Sequence, residues 1–316
     1  MRAETRFPAM GSDAHVIVVG GTVASLDLAR DLVAELEARW SRFLDDSEVT
    51  RMNREAGRPV PVSGATLALV ERAIEGARVT GGRYDPTILR ALERAGYDRS
   101  FERIDRDAAP GRRPEDEQEP VVVSAYDRVM VDRAASTVTV PRGIGFDPGG
   151  IGKGFAADMV VEALLRDGAS GACVNLGGDL RVEGESPDGG PWAAGVEHPT
   201  RSRLAALLVL ERGAVATSTR TRRTWGAPED PRHHLVDPAT GRPAVTPVVS
   251  ATAVAAEGWQ AEVLSKAAFL AGPLDGLALL EANGAAGLVV DEDGGVYEST
   301  GLAAFAPAPS PDRTPA

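Results

Sequence analysis

Cysteine is nearly absent from this sequence, which contains a single one, Cys173, among 316 residues. One cysteine excludes an internal disulfide and any cysteine-rich zinc site. Cys173 lies in the apolar run Gly171-Ala172-Cys173-Val174, a setting typical of a small core residue rather than a reactive thiol. The cysteine content therefore excludes a disulfide-stabilised scaffold.

Long apolar runs are also missing. The sequence has no stretch of 18 or more apolar residues, and residues 1–6 lack the apolar segment of a signal peptide. We therefore expect no transmembrane segment and, for the chain as written, a cytoplasmic location.

An excess of positive charge is the third absence. The 34 Lys and Arg residues are outnumbered by 46 Asp and Glu residues, which gives a net charge of −12. Nucleic acids and anionic membranes both require concentrated positive charge in their partners. The composition therefore argues against both partners and favours a small ligand. The 43% hydrophobic content is enough for a large core.

The hydrophobic periodicity predicts helices mixed with short strands. The predicted helices cover residues 24–43, 65–80, 85–95, 155–166 and 260–270. The predicted strands cover residues 15–19, 121–123, 129–132, 137–140, 171–176, 180–183, 204–210, 215–218, 248–255, 287–291 and 295–298. Because the order lacks strict βαβ alternation, it favours an α+β fold over a doubly wound sheet.

Two stretches read as unstructured. Residues 102–120 carry many charges, three prolines and a single large apolar residue, so we predict a loop insertion there. The proline-rich residues 306–316 are predicted to form a disordered tail. The remaining chain, residues 1–305, is predicted to form one domain.

A glycine-rich turn precedes one of the predicted helices. Residues 146–158 read Phe-Asp-Pro-Gly-Gly-Ile-Gly-Lys-Gly-Phe-Ala-Ala-Asp, with Lys153 as the one cation. Glycines allow close backbone approach, and a helix N-terminus offers N–H groups and partial positive charge to a phosphate. The alternative is a tight turn in which the glycines only relieve crowding, and the motif alone does not decide between the two.

Three further polar clusters are not explained by packing. They are residues 175–179 (Asn-Leu-Gly-Gly-Asp), residues 233–243 (His-His-Leu-Val-Asp-Pro-Ala-Thr-Gly-Arg-Pro) and residues 258–267 (Gly-Trp-Gln-Ala-Glu-Val-Leu-Ser-Lys-Ala). Arg220, Arg222 and Arg223 form a smaller basic group, which either faces an acidic or phosphate partner or is a solvated patch.

Together these clusters resemble the ApbE family, the FAD:protein FMN transferases. Residues 147–158 are similar to the family pattern Asp-x-Gly-Gly-Ile-Ala-Lys-Gly-Tyr-Ala-x-Asp, and residues 174–179 to Val-Asn-x-Gly-Gly-Asp. Residues 233–243 resemble His-His-Leu-Ile-Asp-Pro-x-Thr-Gly-x-Pro. Residues 10–12, 40–53, 82–98 and 258–267 add further similar segments in the same order, so the resemblance covers roughly residues 7 to 300.

The resemblance implies a fold of largely antiparallel, T-fold-like sheets with packed helices. It also implies an activity: transfer of FMN from FAD to a threonine hydroxyl of an acceptor protein, with release of AMP and assistance from Mg²⁺. Some members of the family are FAD pyrophosphatases, in which water replaces the threonine. A non-catalytic flavin-binding paralogue is a further alternative.

The resemblance also assigns roles to individual residues. The FAD-binding positions are expected to be Met10, Phe43, Ala95, Gly96, Tyr97, Asp147, Lys153 and Val236. His234 and Asp179 are the candidates for orienting or deprotonating the acceptor hydroxyl. The alternative for His234 is a hydrogen bond to a backbone carbonyl, and for Asp179 a turn-stabilising carboxylate. The metal is expected at Gly150 and at the helix of residues 258–267.

That helix departs from the family pattern, Ala-Asp-Ala-Leu-Ala-Thr-Ala. Here Glu262 replaces the aspartate and Lys266 replaces the threonine, on one helix face. A protonated lysine cannot ligate Mg²⁺ and repels it. Three hypotheses follow: Glu262 and Ser265 still bind metal, the Lys266 ammonium takes the place of the cation, or the site is inactive.

Overall fold

The computed structural model describes residues 2–104, 124–226 and 231–308, and within these ranges the chain forms seventeen strands and seven α-helices. The helices are α1 Val23–Trp40, α2 Glu48–Arg54, α3 Gly64–Val79, α4 Leu89–Arg94, α5 Gly152–Arg166, α6 Gly258–Ala271 and α7 Pro273–Ala282. The strands are β1 Arg2–Ala9, β2 Ser12–Val19, β3 Val60–Pro61, β4 Met130–Asp132, β5 Thr137–Thr139, β6 Gly171–Leu176, β7 Asp179–Gly184, β8 Trp192–Glu197, β9 Leu204–Leu210, β10 Gly213–Thr219, β11 Thr224–Trp225, β12 Arg232–His233, β13 Val236–Asp237, β14 Arg242–Pro243, β15 Val248–Ala255, β16 Ala286–Asp291 and β17 Val296–Glu298.

One eight-stranded sheet organises the molecule. Its strand order is β1-β2-β6-β7-β10-β15-β16-β17, and every neighbouring pair is antiparallel. Because side chains alternate across a strand, each buried strand of this sheet serves two cores. On β6, Ala172 and Val174 enter the core beneath the helices, while Cys173 enters the core on the opposite face.

Helices α1, α5, α6 and α7 cover one face of the sheet. The helix α1 buries its apolar stripe, including Leu26, Val33 and Leu36, in the core that also contains Val160 and Leu164 of α5. The hairpin of β8 and β9 covers the opposite face, where Trp192 and Leu208 pack against Val182 and Leu288. The sheet is therefore buried on both sides.

The predicted α+β class is confirmed, and so is the mainly antiparallel pairing. Several predicted boundaries were wrong. The helix expected over residues 24–43 ends at Trp40, and the helix expected from residue 155 begins at Gly152. The second difference matters for function, since Gly152, Lys153 and Gly154 form the first turn of α5 and do not precede it.

Nine elements within the described ranges were missed by the periodicity: β1, β8, α2, α7 and the five two-residue strands β3 and β11 to β14. In β1 only Phe7 among the inward residues is large and apolar, and in β8 the inward residues include alanine beside glycine. The short α2 has only two apolar residues, Val49 and Met52, which is too few to show a stripe, and the mostly apolar α7 lacks a clear polar face. The strand predicted at 121–123 lies outside the described residues. The same holds for nearly all of the predicted insertion, and for the tail from residue 309.

No helix within the described ranges is long and apolar enough to cross a membrane.

Candidate functional site

Helices α5 and α6 cross at two glycines. A Cβ atom on Gly154 would lie 2.2 Å from the carbonyl oxygen of Gly258, and one on Gly258 would lie 2.4 Å from that of Gly154. Only glycine permits such an approach of two backbones, because any side chain would overlap the facing peptide. The steric interpretation of the glycine-rich motif therefore applies to Gly154.

Each of the two helices caps the other. The Asp158 carboxylate on α5 accepts N–H bonds from Gly258 at 2.7 Å and Trp259 at 3.0 Å, at the start of α6. In return, Glu262 Oε2 on α6 accepts the N–H bond of Gly154 at 2.8 Å. These bonds satisfy amides that a helix N-terminus otherwise leaves without a partner.

The crossing places Lys153 between two buried carboxylates. Its ammonium forms an ion pair with Asp179 Oδ2 and lies 3.4 Å from Glu262 Oε1. Burial alone would lower the pKa of Lys153, but the charges of Asp179 and Glu262 together raise that pKa above its ordinary value. Lys153 is therefore a fixed cation that joins α5, α6 and the first residue of β7.

Two hairpin turns meet beside Lys153. Met10 and Gly11, which join β1 to β2, have φ angles of 51° and 65°, and Gly177 and Gly178, which join β6 to β7, have 66° and 105°. Positive φ at both central residues matches the twist of a two-residue hairpin. Since β2 pairs with β6, the two turns lie at the same edge, and a Cβ on Gly177 would be 3.7 Å from Lys153 Cδ.

Side chains from other elements hold the segment before α5. Asn53 of α2 donates to the Phe146 carbonyl at 2.8 Å and accepts the Phe146 N–H bond at 2.7 Å. Asp147 then pairs with Arg42 at 2.9 Å, between Oδ1 and Nε. The start of the glycine-rich motif is thus fixed by two side chains from more than ninety residues earlier in the chain.

Arg42 lies over two adjacent aromatic rings. Its guanidinium carbon lies 4.2 Å from the ring centroid of Phe43 and 4.6 Å from that of Tyr97, and Nη2 donates to the Tyr97 carbonyl at 2.8 Å. Phe101 and Trp225 extend this group, with centroids 6.4 and 5.6 Å from that of Tyr97. We call Phe43, Tyr97, Phe101 and Trp225 with Arg42 the aromatic end.

These elements surround a cleft of about 590 Å³. The aromatic end lies at one side, together with Met10, Ile88, Leu92 and Val236. At the other side the cleft is lined by Asp147, Lys153, Arg223, His234 and Lys266, which we call the charged end. The size and the division into apolar and polar parts are typical of small-molecule sites.

Two buried polar atoms, one at the charged end and one behind it beside Gly150, have no hydrogen-bond partner among the described residues. They are Nδ1 of His234 and the hydroxyl oxygen of Tyr84. Burial lowers the pKa of His234 well below its ordinary value, and the positive charges of Lys266 and Arg223 lower it further. Burial also raises the pKa of Tyr84 well above its ordinary value, together with the charges of Glu262 and Asp147. At neutral pH both groups are uncharged.

The residues predicted to hold a metal do not fit a magnesium ion. Both oxygens of Glu262 are engaged, by Lys153 and by the Gly154 amide, and Ser265 Oγ is bonded to Ser218 Oγ and the Glu262 carbonyl, each at 3.0 Å. Lys266 Nζ lies against Gly150, only 2.4 Å from where a Cβ would be. Within the described ranges there is no group of three or more His, Cys, Asp or Glu residues that could hold a metal.

The structure brings most of the predicted site residues to one cleft. Those that line it are Met10, Phe43, Tyr97, Asp147, Lys153, His234 and Val236. Asp179, Gly150, Glu262 and Ser265 lie next to its charged end without lining it, and Ala95 and Gly96 lie behind Tyr97, where the Ala95 carbonyl accepts a 2.8 Å bond from Trp225 Nε1.

Sequence reasoning assigned no ligand role to Arg42 and did not decide between two roles for Arg223. Arg223 lines the cleft and donates to the Tyr97 hydroxyl at 3.1 Å and the Gly11 carbonyl at 3.3 Å. Arg222 instead pairs with Glu197 and Arg220 with Glu292 on the surface. Arg223 therefore faces the cleft, whereas Arg220 and Arg222 belong to a solvated surface patch. The sequence feature that could have identified Arg42 is its position inside the 40–53 motif.

Comparison with known proteins agrees with this geometry, since the ApbE family profile matches residues 10–289. The chain belongs to the ApbE family. It is 28% identical to the FAD:protein FMN transferase of Vibrio cholerae over 80% of this chain and 75% of the relative. It is 29% identical to that of Treponema pallidum, over 88% of this chain and 80% of the relative.

Solved structures of the family share the fold. The ApbE protein of Thermotoga maritima superposes with a TM-score of 0.87 at 28% identity, covering 98% of this chain and all of the other. The flavin transferase ApbE of Vibrio cholerae superposes with a TM-score of 0.82 at 24% identity, covering 96% and 99%. The expected ApbE fold is therefore confirmed.

Proposed function

We propose that this protein is a FAD:protein FMN transferase that moves FMN from FAD to a threonine hydroxyl of an acceptor protein. The observation that carries the proposal is the two-part cleft, in which stacked aromatic rings lead to a charged end with a neutral histidine. A flavin ring matches the first part, and a diphosphate matches the second.

The chain's residues divide the work according to their contacts. Phe43, Tyr97 and Met10 offer apolar surface to the flavin, and Arg42 holds Phe43 and Tyr97 in place. Lys153, Arg223 and Lys266 supply positive charge where negative charge builds up on the phosphate oxygens. FAD contributes the bond to be broken, between its two phosphates.

His234 is the better placed of the two candidates for accepting the hydroxyl proton. It lines the cleft, and its lowered pKa leaves one ring nitrogen with a lone pair at neutral pH. Asp179 is paired with Lys153 and has only 6% of its side chain exposed, so we assign it the positioning of Lys153. In the balanced step, the threonine oxygen bonds to the FMN phosphorus, the bond to AMP breaks, and His234 takes the proton.

Intact mass measurement tests the proposal. The purified protein is incubated with FAD and a threonine-containing acceptor domain from the same genome, once with Mg²⁺ and once with excess EDTA. We expect the acceptor to gain the mass of FMN less one water and AMP to appear in equal amount, with no gain when FMN replaces FAD. Release of FMN and AMP without a mass gain would show hydrolysis instead. Unchanged FAD with every acceptor would contradict both activities.

A substitution at His234 tests whether this residue accepts the hydroxyl proton. His234→Gln retains hydrogen-bonding groups but has no basic nitrogen. We expect it to bind FAD as the wild type does and to transfer FMN at least about a hundredfold more slowly, the size typical of general base loss. Transfer at the wild-type rate would assign the proton to another group.

A further inference from the structure

Lysine is rare in this chain and occurs only where the cleft is. Of the 34 basic residues, two are lysines, Lys153 and Lys266, and both line the charged end. All the others are arginines. A lysine ammonium is a compact point charge, whereas a guanidinium is a broad planar fork, so the two cannot substitute for each other in a confined place.

The surroundings of Lys266 are confined in this way. A Cβ on Gly150 would lie 2.4 Å from Lys266 Nζ and 3.1 Å from Cε, and 2.9 Å from Cε2 of Tyr84 on its other side. The ammonium therefore lies directly against the backbone of the glycine-rich motif, in space that the glycine leaves open. Gly150 and Lys266 are matched to each other sterically.

The positive charge of Lys266 is not neutralised by an ion pair within the described part of the chain. Burial lowers the pKa of Lys266, and the two acidic groups that oppose this most strongly are Glu262 and Asp147. Glu262 is already bound by Lys153 and by the Gly154 amide, and Asp147 by Arg42 at 2.9 Å. Lys153 is balanced by Asp179 and Glu262, so Lys266 and Arg223 leave the charged end with an excess of positive charge.

We propose that Lys266 supplies the positive charge that a divalent cation would otherwise bring to the diphosphate, so that this protein binds FAD without a divalent metal. The inference rests on the proposed function, because it takes the diphosphate of FAD as the ligand of the charged end. It follows from the donor set as well, since Glu262 and Ser265 are both engaged and an ammonium stands beside Gly150.

Isothermal titration of FAD into metal-stripped protein tests this proposal. We expect the wild-type dissociation constant to agree within about twofold between excess EDTA and saturating Mg²⁺. Lys266→Met keeps the chain length and removes the charge, and we expect it to weaken FAD binding about tenfold or more in EDTA. Arg166→Met, which removes an exposed charge from α5, is the matched control and should bind as the wild type does.

Two results would overturn the inference. One is wild-type binding that weakens tenfold or more on removal of metal, and the other is undiminished binding by Lys266→Met. Thermal denaturation of that variant shows whether it folds, and Lys266→Gln serves as a second neutral replacement. If Glu262→Asp combined with Lys266→Thr binds FAD only with Mg²⁺, the exchange of ammonium for metal is supported directly.

The titration separates this inference from the proposed function. Metal-independent FAD binding without any modified acceptor would support the role of Lys266 and contradict the transfer activity. FMN transfer by a protein that needs Mg²⁺ to bind FAD would do the reverse. Failure to bind FAD in either buffer would contradict both.

Discussion

The two ends of the cleft differ in how far their polar groups are satisfied. At the aromatic end, Arg42 has a carboxylate, a carbonyl and two ring faces as partners. At the charged end, His234 Nδ1 has none among the described residues, and Lys266 is not neutralised there. The polar groups of the aromatic end have partners without a ligand, whereas those of the charged end need a ligand to complete their set of partners.

This difference indicates that the aromatic end binds its ligand as a rigid surface, whereas the charged end carries the groups that take part in chemistry. Satisfied and stacked groups lose little freedom when a flat ring binds, so the aromatic end is preorganised for affinity. Unsatisfied buried groups carry a cost in folding that an anionic ligand can relieve. We therefore expect replacement of the charged end's two lysines to alter stability or phosphate binding, and variants of the aromatic end to alter flavin binding.

The largest effect is expected for Lys153→Met. The change leaves the carboxylates of Asp179 and Glu262, which are 6% and 5% exposed, without their cation. Loss of one partner from a buried ion pair costs about 3–5 kcal/mol of unfolding free energy. Urea denaturation measures this loss, with Arg166→Met as the exposed control. A loss below about 1 kcal/mol would mean that water already screens the group.

Gly154→Ala should be the next most damaging change. The added methyl group meets the Gly258 carbonyl, so α5 and α6 must move apart, at a cost of about 1–3 kcal/mol. Gly64→Ala is the matched control, because Gly64 has no atom near its Cβ position and begins α3. Thermal denaturation of both variants compares them, and equal melting temperatures would contradict the close crossing.

Arg42→Lys should separate the two ends. A lysine loses the stacking on Phe43 and Tyr97, so we expect riboflavin, which has no phosphate, to bind about tenfold more weakly. Lys266→Met should leave riboflavin binding unchanged. Fluorescence titration with riboflavin and with FAD gives both results. If Lys266→Met weakened riboflavin binding as strongly as Arg42→Lys, the division of the cleft would be wrong.

The smallest effect is a change in how stability depends on pH. Because the pKa of His234 is lowered in the folded protein, the unfolded chain binds the proton first as pH falls below the ordinary histidine pKa. His234 therefore makes the unfolding free energy fall with falling pH, by at most about 1.4 kcal/mol per pH unit. His234→Gln should show a shallower slope than the wild type in urea denaturation between pH 7 and pH 5. An identical slope would show that His234 does not titrate in this range.

The sequence was enough to predict the fold class and several cleft residues, but not the residues that contact them in the folded protein. Short-range patterns and the seven ordered motifs were enough for the class and for Lys153, Asp147 and Tyr97. The contact of Gly154 with Gly258 joins residues about a hundred positions apart, so no local pattern could show that the motif's last glycine serves a helix crossing. For the same reason, the sequence identified Lys153 as the cation of the motif but did not identify Asp179 and Glu262 as the carboxylates that hold it.

The most direct test of the account observes Lys266 itself. Protein produced with lysine isotope-labelled at Cε should give two lysine signals by NMR, because the chain has only two lysines. With metal-free protein, we predict that FAD shifts the Lys266 signal and raises the pKa of its ammonium, since a bound diphosphate stabilises the charged form. A Lys266 signal and pKa that stay unchanged while FAD is bound would contradict the account.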